Sequence, residues 1–143
     1  PRRYIPRVSD VPDFAVALDR TLDGTLGFET LEVGEESARS RALVSDQLKQ
    51  PYGLVHGGVY AAMAESLASQ ATAMAVYDQG SIAVGLSNHT SFMRPVLDGY
   101  VHATARRVHR GSTTWVWEVE LTDDDGRLCA LSRVTMAVRP ARR

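Results

Sequence analysis

From Val59 to Tyr77 apolar residues recur every three to four positions, and from Ser81 to Val138 they alternate with polar ones. The first period belongs to an α-helix and the second to β-strands, whose side chains point to opposite faces in turn. The spacing therefore predicts one helix, opened by His56-Gly57-Gly58 and reaching Tyr77, of about five to six turns at ~3.6 residues each. Val59, Met63, Leu67, Gln70 and Met74 form one stripe, while Ala61, Ala64, Ala68, Ala71 and Ala75 allow close packing from other sides, so burial nearly all round is expected. Strands are predicted at Ser81 to Met93, Tyr100 to His109, Thr113 to Thr122 and Arg127 to Val138. Their connections, Pro95 to Gly99, Arg110 to Ser112 and Asp123 to Gly126, carry turn chemistry, which predicts a four-stranded antiparallel meander. In the third strand Trp115, Trp117, Val119 and Leu121 share a predicted core face, opposite Thr114, Val116, Glu118 and Glu120.

Upstream of the helix, Thr25 to Val33 and Ser37 to Val44 read as a hairpin turning at Gly34-Glu35-Glu36, followed by a loop, Ser45 to Val55, that contains Pro51 and Gly53. A short helix or turn is expected at Asp13 to Leu22. Pro1, Pro6 and Pro12 oppose regular structure, so residues 1–20 are expected to form an irregular arm. One long helix with about six antiparallel strands before and after it predicts an α+β arrangement, a sheet curled around the helix. A chain of 143 residues fits a single domain, residues 1–143, with no room for separate cofactor and substrate domains.

Composition narrows the class. Hydrophobic residues are 44%, charged residues 23% and the formal net charge is -1, so there is no global basic bias towards nucleic acid. Lys49 is the only lysine among 16 basic residues, and Cys129 is the only cysteine, which excludes an intrachain disulfide framework and points to a reducing, cytoplasmic setting. Cys129 lies in a strand-like run and reads as a packing residue. Glu65, Ser66, Ser69, Gln70 and Thr72 interrupt the one long apolar run, so no membrane span is expected. Arg2, Arg3 and Arg7 near the start are not followed by the apolar run of a secretory signal.

The most informative residue is Glu65, the single charge in the predicted helix. An ionised carboxylate on an Ala-rich helix is costly to desolvate unless it is paired or used. Pairing with a distant arginine is one reading, although no Lys or Arg occurs between Pro51 and Arg94. At the helix start the Gly57 and Gly58 N–H groups lack intrahelical partners and lie at the positive end of the helix dipole, suited to an anion or a polarised carbonyl oxygen. The alternative is that two glycines simply permit tight packing. Glu65 stands eight residues after Gly57, ~12 Å along the axis, so one substrate atom cannot touch both within a chain. If Gly57 holds a carbonyl oxygen and Glu65 attacks its carbon, two helices must lie side by side and antiparallel, which requires a homodimer with two equivalent composite sites. Ser69, four residues on, shares the Glu65 face, either as a participating hydroxyl or as a solvated or back-bonded serine. His56 is a general base by type, but its place before the glycines argues for fixing the start of the helix. His89, His102 and His109 have no metal-ligand spacing, and no metal is predicted. Neither a nucleophile-elbow nor a dinucleotide or phosphate-loop glycine pattern occurs.

The run from Gln50 through Tyr52, His56, Gly57 and Gly58 to Glu65 resembles the hotdog-fold acyl-CoA thioesterases, and specifically the 4-hydroxybenzoyl-CoA thioesterase branch with a catalytic mid-helix Glu. The likeness extends through Ser87 to Val96 and Gly111 to Trp117 to Gly126-Arg-Leu-Cys-Ala130. The resemblance implies a hotdog fold, a long central helix wrapped by the sheet. It implies Glu65 as nucleophile or general base, the Gly57 N–H polarising the thioester carbonyl, and Gln50 assisting near the leaving sulfur or the carbonyl. Gln50 and Gly57 would come from one subunit, Glu65 and Ser69 from its partner, and the assembly would be a homotetramer, a dimer of dimers. Ser69 stands where this branch can carry Thr, keeping the hydroxyl and losing a methyl. His56 and Gly58 would border the substrate, and Arg94, Ser112 and Thr113 would lie near the nucleotide phosphates. From the residues alone, the last three offer hydroxyls, turn N–H groups and a guanidinium fork, or else plain turn chemistry and a surface arginine. The implied function is hydrolysis of an aromatic acyl-CoA, 4-hydroxybenzoyl-CoA first, in aromatic degradation. Phenylacetyl-CoA, another aryl-CoA, a medium-chain acyl-CoA or a non-catalytic acyl-CoA binding module are the alternatives. No cofactor is expected, CoA being part of the substrate.

Overall fold

The computed structural model describes residues 16–141, so most of the irregular arm expected at residues 1–20, and the start of the short helix or turn expected at Asp13 to Leu22, lie outside the described part. The last residues of that arm contain a 3-10 turn, Leu18–Arg20, which leads into a short helix, α1 (Leu22–Thr25), capped by the Thr21 hydroxyl accepting from the Gly24 N–H. The predicted hairpin follows as β1 (Phe28–Val33) and β2 (Ser37–Leu43), pairing Phe28 with Ala42 and Val33 with Ala38. The long helix, α2, spans Gly57–Val76 and passes through a 3-10 turn, Tyr77–Gln79, into Gly80 at φ 65°, a left-handed stop that glycine adopts without strain. Then come β3 (Ser81–Phe92), β4 (Tyr100–Arg110), β5 (Thr114–Thr122) and β6 (Leu128–Pro140).

All six strands join one antiparallel sheet in the order β1-β2-β4-β5-β6-β3, and α2 packs against every strand. This is the α+β arrangement anticipated from the residues and the hotdog architecture that the resemblance implies. The core lies between sheet and helix. Trp115, Trp117, Val119 and Leu121 of β5 meet Val59, Tyr60, Met63, Ala64, Leu67 and Ala68 of α2 there, all buried. Trp117 is fully enclosed, and its indole N–H donates to the Thr72 hydroxyl at 2.9 Å, which donates in turn to the Ala68 carbonyl at 2.8 Å.

Two expectations are corrected. The meander covers only β4, β5 and β6; β3 pairs with β6 at the far edge, so residues 93–99 cross the end of the sheet rather than forming a hairpin. Backbone bonds from Met93 and Arg94 to the Cys129 carbonyl, from Val55 to the Val96 carbonyl and from Val44 to the Gly99 carbonyl hold this crossing, and buried Val96 plugs the core beneath it. Proline and glycine mark where a chain turns, not which strand it turns towards. The helix, in turn, is not enclosed on all sides within one chain. Val59, Met63 and Leu67 of the expected stripe are buried, but Gln70 is half-buried and Met74 exposed, because the buried face is centred between that stripe and the Tyr60, Ala64, Ala68, Ala71 row. The opposite flank, with Ala61, Glu65 and Ser69, is half-buried. The neighbouring edge strand β3 has its outer side unpaired and carries exposed Ile82, Val84, Leu86 and Phe92.

Thr72→Val should cost about 1–3 kcal/mol, because it keeps the shape but leaves the Trp117 N–H buried without an acceptor. Urea unfolding followed by tryptophan fluorescence measures this as a lower midpoint at unchanged slope.

Candidate functional site

His56 is the N-cap of α2, and its Nδ1 accepts from the Gly58 N–H at 2.9 Å. The Gly57 N–H makes no hydrogen bond among the described residues and stays at the positive end of the helix dipole. The histidine side chain thus occupies one of the two glycine donors and leaves the other for a ligand. Gln50 is close by in the chain's path: its N–H donates to the Leu54 carbonyl, Lys49 bridges Val55, and the His56 N–H donates to the Leu48 carbonyl, so the loop before α2 is folded back on itself. Tyr60, one turn further on, is buried, and burial pushes its hydroxyl up to about 12, so it remains neutral and is no candidate base.

α2 runs antiparallel to β3, and three contacts tie them together. A Cβ on Gly57 would sit 2.9 Å from the Cζ of Phe92, so the aromatic ring rests on the bare backbone there. One turn on, the Asn88 side-chain amide donates to the Ala61 carbonyl at 2.9 Å. A further turn on, a Cβ on Gly85 would sit 3.0 Å from Oε1 of Glu65, so the carboxylate lies directly over the strand backbone. The strand steps out of register between Gly85 and Ser87, next to this contact.

Glu65 is half-buried and pairs with no cation among the described residues, so no described arginine accounts for it. Burial first, and the negative charge of Asp23 second, raise its pKa above the usual carboxylate value. A carboxylate held this way is a better proton acceptor than a solvated one. Ser69 lies on the same half-buried flank. Both belong to the long helix, a rigid support, but stand about 12 Å and more along its axis from Gly57.

The structure does not bring all candidates together in one chain. Gln50, Gly57 and Arg94 lie at the end of the molecule where α2 begins and β3 ends; Glu65 and Ser69 lie further along the helix. Ser112 and Thr113 form the turn between β4 and β5 at the opposite end, where the Thr113 carbonyl accepts from the Val138 N–H and from Arg139. Arg94, Ser112 and Thr113 are all exposed. Among the described residues no three His, Cys, Asp or Glu side chains gather in a group that could hold a metal ion, and no helix is long and apolar enough to cross a membrane.

Sequence reasoning missed Gly85, Asn88, Phe92 and Asp23. A glycine inside an alternating strand is a signal of close backbone approach and was legible at Gly85. Asp23 left no comparable mark, because its role rests on contacts with residues more than forty positions away.

Known proteins share this fold. The model of the Thioesterase superfamily matches residues 52–130. A 1,4-dihydroxy-2-naphthoyl-CoA hydrolase of Escherichia coli (strain K12) is 33% identical over 115 residues, covering 80% of this chain and 84% of the relative. A proofreading thioesterase of Cronobacter turicensis is 36% identical over 126 residues, covering 85% of this chain and 91% of the relative. The crystal structure of a mutant thioesterase from Pseudomonas aeruginosa, 35% identical, superposes with a TM-score of 0.82 over 86% of this chain and 88% of that one.

The raised Glu65 pKa means that the folded state binds this proton more tightly than the unfolded chain, so stability falls as pH rises from 4.5 through the raised value. Glu65→Gln should therefore melt ~1–3 °C above the wild type at pH 8, and the gain should vanish at pH 4, as scanning calorimetry at the two pH values would record.

Proposed function

The chain belongs to the Thioesterase superfamily and is a thioester hydrolase, and we propose that it cleaves an aromatic acyl-CoA, 4-hydroxybenzoyl-CoA first, to the free acid and CoA. The observation that carries the reading is the half-buried Glu65 carboxylate, without a cationic partner among the described residues, on the same helix whose first N–H, at Gly57, is free. Supporting the aryl class, an Escherichia coli relative is named for a hydroxylated naphthoyl-CoA, and that bicyclic acyl group is the second reading.

In this proposal two copies pair along β3. A twofold axis through the Ala61–Asn88 contact would lay the Gly57–Phe92 contact of one copy beside the Glu65–Gly85 contact of the other, because each lies one helical turn (~6 Å) from Ala61. The unpaired edge of β3 and its exposed apolar side chains support this arrangement. Each site would then take Gln50 and Gly57 from one copy and Glu65 and Ser69 from the other. The same axis carries the Ser112–Thr113 turn of one copy towards Arg94 of its mate, where hydroxyls, turn N–H groups and a guanidinium would meet the CoA phosphates. Two such dimers would form the tetramer.

Chemically, the Gly57 N–H and the helix dipole stabilise negative charge on the thioester oxygen, a contribution of ~3 to 4 kcal/mol for one well-placed donor. Glu65 either attacks the carbonyl carbon, giving a mixed anhydride that water then opens, or takes a proton from the attacking water. In both routes the CoA thiolate leaves. Gln50 steadies the carbonyl or the departing sulfur, Ser69 places a hydroxyl beside the carboxylate, and His56 and Gly58 hold the start of the helix against the substrate.

Glu65→Ala should lower kcat/KM for 4-hydroxybenzoyl-CoA by at least ~10²-fold in a free-thiol assay, and near wild-type turnover would refute both routes. The acid limb of the wild-type kcat/KM profile should fall with an apparent pKa above the usual carboxylate 4.5. Mixing refolded Gln50→Ala and Glu65→Ala chains tests the composite site: roughly a quarter of wild-type sites should return in mixed dimers, whereas sites contained within one chain would gain nothing.

A further inference from the structure

One aromatic side chain touches the residue that carries the free N–H. Cζ, Cε1 and Cε2 of Phe92 lie 2.9, 3.0 and 3.4 Å from where a Cβ on Gly57 would stand, so the far end of the ring seats on the bare Cα. A Cβ leaves a helix sideways, whereas the N–H points along the axis and out of the first turn. The ring therefore flanks the Gly57 donor without standing in front of it. Buried Tyr60 supports the ring from α2, with centroids 6.2 Å apart and planes tilted by 43°.

The backbone is built to put Phe92 there. Ala83 and Gly85 of β3 face the core and α2, as do Asn88 and Phe92, although the two pairs have opposite parity along the strand. The switch is the extra residue between Gly85 and Ser87, where the register with β6 shifts. In a strand without it, Phe92 would point to the outer face of the sheet. Just past Phe92, the Met93 and Arg94 N–H groups both donate to the Cys129 carbonyl, at 2.8 and 3.1 Å, which fixes the end of the strand. Phe92 is nevertheless 59% exposed. A bulge and a glycine thus hold an aromatic side chain against a backbone donor while most of its surface stays outside the core.

We propose that Phe92 is a positioning residue for thioester cleavage: its ring forms the apolar wall that keeps water off the Gly57 N–H while the thioester oxygen is bound there. The inference rests on the thioesterase reading and the paired copies above, in which Phe92 stands between Gly57 of its own chain and Glu65 of the other copy. There the wall acts on charge. A hydrogen bond to the developing oxyanion strengthens as water is excluded, and it does so more in the transition state than in the ground state. Phe92 has no polar atom to offer and acts through Gly57.

The test separates kcat from KM for 4-hydroxybenzoyl-CoA in the wild type, Phe92→Ala and Phe92→Met, with self-association followed by sedimentation. Phe92→Ala should lower kcat at least ~10-fold and change KM less than ~3-fold, the mark of a group that acts in the transition state. Because the contact is made by the far end of the ring, only a side chain of similar length restores the wall. Phe92→Met, apolar and long, should recover kcat to within ~3-fold of the wild type. If Phe92→Ala does not fold, Phe92→Val, too short to reach Gly57, takes its place. An unchanged kcat, or a KM that rises while kcat holds, makes the ring a contact surface and overturns the proposal. So does a kcat that Phe92→Met fails to restore, or one that returns once Phe92→Ala is concentrated enough to pair. Those outcomes leave the thioesterase reading intact, whereas a wild type that releases no thiol overturns this inference and the aromatic reading together.

Discussion

The close approach of α2 to β3 is the constraint on which the rest of the structure depends. A helix carrying ordinary side chains at Gly57 would push Phe92 away, and a strand carrying one at Gly85 would collide with the Glu65 carboxylate. Because both positions are glycine, helix and edge strand stay in contact over more than two turns, with the Asn88 amide fixing the middle. The site groups are therefore held by main-chain packing. That is the rigid support a reacting carboxylate and a backbone donor need, since misplacement by about 1 Å can reduce rate ~10²-fold.

Opposite that contact, the helix is held down by Trp117 and Thr72, deep in the core. The two sides serve different ends. On the buried side the Trp117 N–H, the Thr72 hydroxyl and the Ala68 carbonyl form a closed chain of hydrogen bonds, as a core demands. The half-buried side leaves a carboxylate without a cation and an N–H without an acceptor among the described residues. Local instability of this kind is characteristic of sites built for chemistry, where stability is given up for reactivity.

Much of this was legible in the residues. The predicted helix, His56 to Tyr77, agrees with α2 to within one residue at either end, because the period is strong and glycines mark its start. The β5 core face was equally clear, since Trp115, Trp117, Val119 and Leu121 alternate with Thr114, Val116, Glu118 and Glu120. The β3–β6 pairing was not legible: strand order depends on where the helix deposits the chain, and turn residues at 95–99 look alike in a hairpin and a crossing. Of the candidate site, Glu65 stood out as a lone charge in an apolar run, whereas Asp23 sat near a predicted strand start and acquires meaning only through Ser66 and Glu65. Local pattern reports which residues face a core; it does not report which distant segments meet.

The edge strand has one further consequence. Between Ser81 and Met93 there is no Asp, Glu, Lys or Arg, and the unpaired side of β3 carries Ile82, Val84 and Leu86 in the open. Natural edge strands are commonly guarded by charge, proline or a covering segment, because bare strands recruit other chains indiscriminately. Under the proposed pairing along β3, a newly synthesised copy of this chain would be in a race between finding its own kind in register and adhering to any other exposed strand. The winner would depend on concentration and time, so the yield of usable protein would be set as much by the kinetics of encounter as by the depth of the folded minimum.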